Sequence, residues 1–138
     1  MAQNPYGAPI SLEEAKKPAA AALAEAVKNN WTMAVAIVDP SGNLVYYEKM
    51  DNTQLGSAEL AIAKARSATL WKRNTKAMQD ALAEGGSALK VFRLQGAVPV
   101  AGGFMLIADG KIIGAIGVSG DSAANDNQCG AAGAAVVK

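Results

Sequence analysis

The stretch PVAGGFMLIADGKIIGAIGVSGDSAANDNQCGAAG, residues 99–133, decides the fold of this chain. Two apolar and β-branched segments, 104–108 and 111–119, flank the dipeptide Asp109-Gly110, the strongest short-range signal of a β-hairpin. A polar loop follows, and after it a run of small residues. The stretch therefore predicts a hairpin, a loop and a closing helix over about 123–136.

Three glycines in this stretch need an explanation of their own. Gly114, Gly117 and Gly120 recur at every third position, and a glycine inside a strand marks a bulge or the close approach of another backbone or a ligand. The order is not the G-x-G-x-x-G of a dinucleotide site. We expect a bulged strand and then backbone N–H groups over 119–121 that either hold an anion or only cap the closing helix.

The first half of the chain also predicts a β-hairpin, which lies between helices. Ser11 and Glu14 form a capping box that begins a helix reaching about residue 28, although Pro18 favours a break after its first turn. Segments 31–39 and 44–49 read as strands around a proline turn. Helices over 57–73 and 75–83 follow.

The resulting order, α-β-β-α-α-β-β-α, predicts an α+β fold. We expect one domain over 11–138, preceded by an irregular arm over 1–10, with a central antiparallel sheet of four to five strands flanked by helices. This is the profilin-like or PAS-like kind of architecture, and it differs from a doubly wound parallel sheet.

Composition excludes several classes of function. The formal net charge of +1 argues against a nucleic-acid partner. No apolar run reaches the roughly 20 residues that span a bilayer, so no membrane partner is expected. The N-terminus shows no signal-peptide pattern, and the single cysteine, Cys129, cannot form an internal disulfide. We therefore expect a cytoplasmic protein.

The absence of histidine is the most restrictive fact of the composition. Histidine is the usual general base at neutral pH, the commonest metal ligand and a common haem ligand. A Ser-His-Asp or Cys-His mechanism within one chain is excluded, and no metal site is expected. Soft iron ligands remain at Met50, Met78, Met105 and Cys129, although gap-filling is the commoner role of methionine.

Charged side chains form two groups of candidate binding residues. A basic block without an intervening acid consists of Lys64, Arg66, Lys72, Arg73 and Lys76. It is either a solvated helix surface or a site for carboxylates, such as an organic acid or haem propionates. Asp51 and Asp126 stand at the ends of predicted elements, where binding residues concentrate. The Gly/Ala-rich closing helix predicts close packing and a homo-oligomer.

Three blocks of the chain carry a family resemblance: VAIVDPSGNLVYYEKMD at 35–51, SAELAIAKARSA at 57–68, and the stretch 99–133. They resemble the GlcG/HbpS family, a haem-binding or haem-degrading-like domain that also forms the C-terminus of PduO-type proteins. The resemblance implies a single domain with an antiparallel sheet, homo-oligomers, and for some members a haem or corrinoid-related ligand. The family's recurrent positions fall on Asp51, Lys64, Gly102, Gly103, Ser119, Gly120 and Asp126.

Two functional hypotheses follow. In the first, the protein is an oligomeric small-molecule-binding protein, with haem or a related tetrapyrrole bound without histidine. In the second, it is an enzyme acting on a small carboxylated metabolite, with Lys64 as anion clamp or base and Asp51 or Asp126 as the acid or base. Both place the ligand site where Asp51, Lys64, Ser119, Gly120 and Asp126 converge at one edge of the sheet.

Overall fold

The computed structural model describes residues 3–138, and its strands form one four-stranded antiparallel sheet in the order β2-β1-β4-β3. The elements in chain order are α1 (Leu12–Lys28), β1 (Ala34–Val38), β2 (Leu44–Lys49), α2 (Ser57–Leu70), α3 (Thr75–Glu84), a 3₁₀ helix (Gly86–Arg93), β3 (Gly103–Ala108), β4 (Lys111–Ser119) and α4 (Ala123–Ala135). The α+β class and the predicted element order are confirmed.

Side-chain size alternates along the two central strands and sorts the helices between the faces of the sheet. Val35 and Ile37 of β1 join the core against α1 and α4, together with Ile116 and Val118 of β4. On the opposite face of these strands, Ala34, Ala36, Val38 and Ala115 pack against alanines of α2, namely Ala61, Ala65 and Ala68. Because successive strand side chains point to opposite faces, α2 approaches a nearly smooth surface.

The glycines of β4 permit backbone contact rather than ligand contact. A Cβ atom at Gly117 would overlap the carbonyl oxygen of Ala61 in α2, and one at Gly114 would overlap that of Val38. A Cβ atom at Gly120 would overlap the carbonyl oxygen of Thr32. The expected bulge is present, but it lies at Ile113, where the register with β3 shifts.

Several predicted helix details are wrong. Helix α1 continues through Pro18, whose side chain is buried, instead of breaking there. Helix α2 ends at Leu70 rather than at residue 73, because Lys72 adopts a left-handed φ of 49° that turns the chain toward α3. By contrast, the close packing predicted for the closing helix is present at Gly130 of α4, where a Cβ atom would meet the Phe104 ring.

The N-terminal arm is attached to the sheet. Its Gly7 and Ile10 amides donate to the carbonyl oxygens of Ile112 and Ile113 on β4, each at 2.8 Å. Ile10 itself is only 4% exposed and belongs to the core. Across residues 3–138, no helix has the length and apolar character needed to cross a membrane.

Candidate functional site

Lys64 lies at the centre of α2 and is completely buried. Its Nζ donates hydrogen bonds to the Oδ2 atom of Asp126 at 2.9 Å and to the backbone oxygen of Val118 at 3.0 Å. The Val118 amide donates to the Gly102 carbonyl oxygen, just before β3 begins. The ammonium group of Lys64 therefore satisfies the carbonyl oxygen of the same β4 residue. For Lys64, a solvated helix surface is therefore the wrong interpretation.

Asp126 stands in the first turn of α4 and is 3% exposed. Its Oδ1 atom accepts hydrogen bonds from the backbone N–H groups of Gly120 at 3.1 Å and Asp121 at 2.9 Å. The sequence predicts that these amides either hold an anion or cap the closing helix. In the structure they donate to the carboxylate of Asp126, which belongs to the chain itself.

Burial shifts the pKa values of the two members of this ion pair in opposite directions. Desolvation lowers the pKa of Lys64, while its hydrogen bond and charge interaction with Asp126 oppose the shift. Desolvation likewise raises the pKa of Asp126, against the hydrogen bonds from Asp121, Lys64 and Gly120. Each group depends on the other for its compensating charge. We call Lys64 and Asp126 the buried ion pair.

The exits of the two hairpins lie at the same edge of the sheet. Ala34 of β1 faces Lys49 on one side and Ser119 on the other. Ser119 is buried there and donates a hydrogen bond from its Oγ to that of Ser57 at 3.0 Å. Thus Lys64, Ser119, Gly120 and Asp126 are adjacent, whereas Asp51 is exposed in the turn after β2.

The loop before β3 links the buried ion pair to α3. Gly102 adopts a φ of +128°, and a Cβ atom there would lie 2.9 Å from the Nζ of Lys64. On the other side of the loop, the Gly103 and Ala101 amides donate to Thr75 Oγ1 and Gln79 Oε1, both at 2.8 Å. The loop therefore lies between the pair and α3 and is hydrogen-bonded to α3.

A cavity of about 320 Å³ lies between α3 and the 3₁₀ helix. Its walls are mostly apolar, and they are lined by Ala77, Met78, Ala81, Ala88, Val91, Leu94, Arg73 and Lys90. We call it the α3 cavity. Sequence reasoning missed it, because only the glycines at 85 and 86 and a short helical pattern over 87–94 mark the second wall.

Among the sulfur groups considered as iron ligands, only Met78 lines this cavity. Its Sδ atom accepts a hydrogen bond from the Ser67 hydroxyl at 3.6 Å. Cys129 is buried in α4, and desolvation raises the pKa of its thiol to about 12. Within residues 3–138, no three acidic or cysteine side chains cluster as metal ligands would.

Comparison with known proteins decides the family. The model of a family described as "Haem degrading protein HbpS-like" matches residues 10–135. This chain belongs to the HbpS-like family. Protein GlcG of Escherichia coli K12 is 37% identical over 114 residues, which cover 80% of this chain and 81% of GlcG.

Two solved structures superpose closely on this chain. The PduOC:haem complex superposes with a TM-score of 0.82 at 31% identity, and the match covers 92% of this chain and 94% of that one. A double mutant of HbpS from Streptomyces reticuli gives a TM-score of 0.85 at 33% identity, covering 96% of this chain and 89% of that one. The resemblance read from the sequence is confirmed.

Proposed function

We propose that this HbpS-like domain binds a tetrapyrrole, haem among them, in the α3 cavity. The observation that carries the proposal is the cavity itself, whose volume of about 320 Å³ falls within the range of ligand pockets and whose walls are mainly apolar. A macrocycle whose volume exceeds that of the cavity would enter the cavity with one edge of its ring. The haem complex of a relative that shares the fold, PduOC, supports the choice of ligand class.

The donor set fits a weak, histidine-free mode of binding. Because the chain contains no histidine and the Sδ atom of Met78 is buried against the Ser67 hydroxyl, haem would bind in the cavity without a histidine or thioether ligand. Neither Lys64 nor Cys129 is available, since both side chains are buried outside the cavity lining. Affinity would then come mostly from apolar burial.

The residues expected at the sheet edge take a supporting role in this proposal. Lys64 and Asp126 hold the loop that positions α3, and Ser119 and Gly120 build the same corner of the sheet. Asp51 is exposed and does not line the α3 cavity, so this proposal gives it no contact with the ligand.

The alternative, an enzyme acting on a small carboxylated metabolite, has less support. Lys64 and Asp126 are hydrogen-bonded to each other and buried, so neither is free to exchange a proton with a substrate. We further propose a homo-oligomer in the cytoplasm, which sedimentation at micromolar concentration and cell fractionation test. The lone buried thiol agrees with a reducing compartment.

A titration with haemin tests the binding proposal. Ala81 lines the cavity, whereas Ala83 lies on the same helix outside the lining, and both are exposed. Ala81→Phe should fill the cavity and weaken haemin binding about tenfold or more, while Ala83→Phe should bind as the parent does. Absence of a saturable Soret change in the parent would contradict the proposal. Equal haemin binding by Ala81→Phe and Ala83→Phe would show that the ligand binds outside the α3 cavity.

A further inference from the structure

The α3 cavity carries two positive charges and no negative one. Arg73 lies in the turn that leads into α3, and Lys90 lies on the 3₁₀ helix opposite. Within residues 3–138, neither side chain forms an ion pair or a hydrogen bond with another side chain. The walls between them are formed by alanine and larger apolar residues. An apolar cavity with unpaired cations is complementary to an amphiphilic anion.

Arg73 is presented by an anchored turn. The preceding residue, Lys72, donates from Nζ to the Asn4 carbonyl oxygen at 2.8 Å and lies 4.5 Å from the centre of the Tyr6 ring. Tyr6 in turn donates to the Thr69 carbonyl oxygen at 2.6 Å. The Arg73 amide closes the turn by donating to Ala68 at 3.1 Å. Its backbone is therefore fixed while its guanidinium group stays free to bind.

We propose that Arg73 and Lys90 bind the two carboxylates of the tetrapyrrole, so that the cavity selects a dicarboxylic macrocycle over its diester. This inference rests on the proposed function and adds the specificity of the same site. Arginine matches a carboxylate with two parallel N–H donors, and lysine acts as a point charge. The two cations lie on different segments of the lining, Arg73 before α3 and Lys90 on the 3₁₀ helix, so each would engage a separate carboxylate while the apolar walls cover the ring.

The test compares haemin with haemin dimethyl ester in the same detergent solution. The parent should bind haemin about tenfold more tightly than the ester. Arg73→Gln and Lys90→Gln should each weaken haemin binding about three- to tenfold and leave ester binding unchanged. The matched control is Arg93→Gln, because Arg93 is an exposed cation on the same 3₁₀ helix outside the cavity lining.

The outcomes separate this inference from the proposed function. A parent that binds both compounds equally, or cavity variants that behave as Arg93→Gln does, would overturn the role of the two cations and leave tetrapyrrole binding standing. A parent that saturates with neither compound would overturn both. Loss of the preference for haemin in the Arg73→Gln/Lys90→Gln double variant would support the assignment directly.

Discussion

The region between α2 and the sheet and the region between α3 and the 3₁₀ helix are built by opposite rules. Toward the sheet, α2 and β4 meet through glycine and alanine, and the buried ion pair closes the corner. Toward the 3₁₀ helix, Met78 and Val91 are buried, but the cavity remains open between the walls. Phe92 is 70% exposed on the outside of that segment. A Cβ atom added at Gly102 or Gly117 of the first region would overlap backbone oxygen atoms, whereas the second region has room for a ligand.

This contrast distinguishes the residues that stabilise the fold from the residues that bind the ligand. The crowded corner fixes the loop at 101–103, and the loop holds α3 through Thr75 and Gln79. The open side then uses the helix that this corner has positioned. Substitutions should therefore lower stability at the crowded corner and change ligand affinity at the cavity.

The largest expected effect is at the buried ion pair. Lys64→Met should lower the free energy of unfolding by about 3–5 kcal/mol, because it leaves the Asp126 carboxylate buried without a counter-charge. Chemical denaturation measures this. Lys64→Met/Asp126→Asn should recover about 1 kcal/mol or more, since the amide oxygen still accepts from Gly120 and Asp121.

The matched control for that prediction is the exposed pair of Lys76 and Asp80, whose side chains are 53% and 56% accessible. Lys76→Met should change stability little, because exposed ion pairs contribute little. If Lys64→Met were equally mild, the corner would not depend on the pair, and the contrast between the regions would fail.

The next effect is at the contact between α2 and β4. Gly117→Ala should destabilise the fold by about 3 kcal/mol, since the new methyl group would overlap the Ala61 backbone oxygen and force the helix outward. Gly56→Ala is the control, because nothing lies within 4 Å of a Cβ atom there. We expect it to be neutral or slightly stabilising. Equal unfolding midpoints would refute this account of the close approach.

A third prediction concerns Cys129 and the pH. Because desolvation raises the pKa of its thiol to about 12 in the folded protein, the thiolate fraction at pH 8 should be roughly a thousandfold below that of the unfolded chain. A thiol reagent should therefore label the protein only as fast as it unfolds. Stability contributed by this protonated thiol is present below the pKa of the unfolded thiol and is lost as the pH rises toward 12. Rapid labelling of native protein would show that the core around Cys129 in α4 opens without global unfolding.

The smallest expected effect is on the open side. Phe92→Ser should change the free energy of unfolding by no more than about 0.5 kcal/mol, because the ring is 70% exposed and substitutions at such surface positions have small effects. Thermal unfolding beside the parent measures this. A large loss of stability would mean that Phe92 packs against something essential, and the 3₁₀ helix would then belong to the crowded region.

Local signals predicted the elements but not the burial of the charges. Asp109-Gly110 and the capping box of Ser11 and Glu14 act over a few residues, and both are present in the structure. The position of Lys64 depends on Asp126 and Val118, which lie 62 and 54 residues away. Spacing within a helix cannot distinguish a solvated lysine from one that reaches a distant carboxylate.

The α3 cavity was invisible to sequence reasoning for a related reason. Its walls come from α3 and from a 3₁₀ helix whose short, weakly periodic sequence specifies little by itself. Arg73 was recognised only as one member of a basic block, and Lys90 was not singled out. Arg73 and Lys90 are exposed whereas Lys64 is buried, and the left-handed turn at Lys72 separates Arg73 from α2.

Amide hydrogen exchange with and without haemin tests the central claim most directly, because it reports both regions in one experiment. The account predicts slower exchange over 75–94 when haemin is bound, and unchanged exchange over 116–126, where the corner is already closed. Slowing confined to 116–126, around the buried ion pair, would contradict it and return the ligand to the sheet edge.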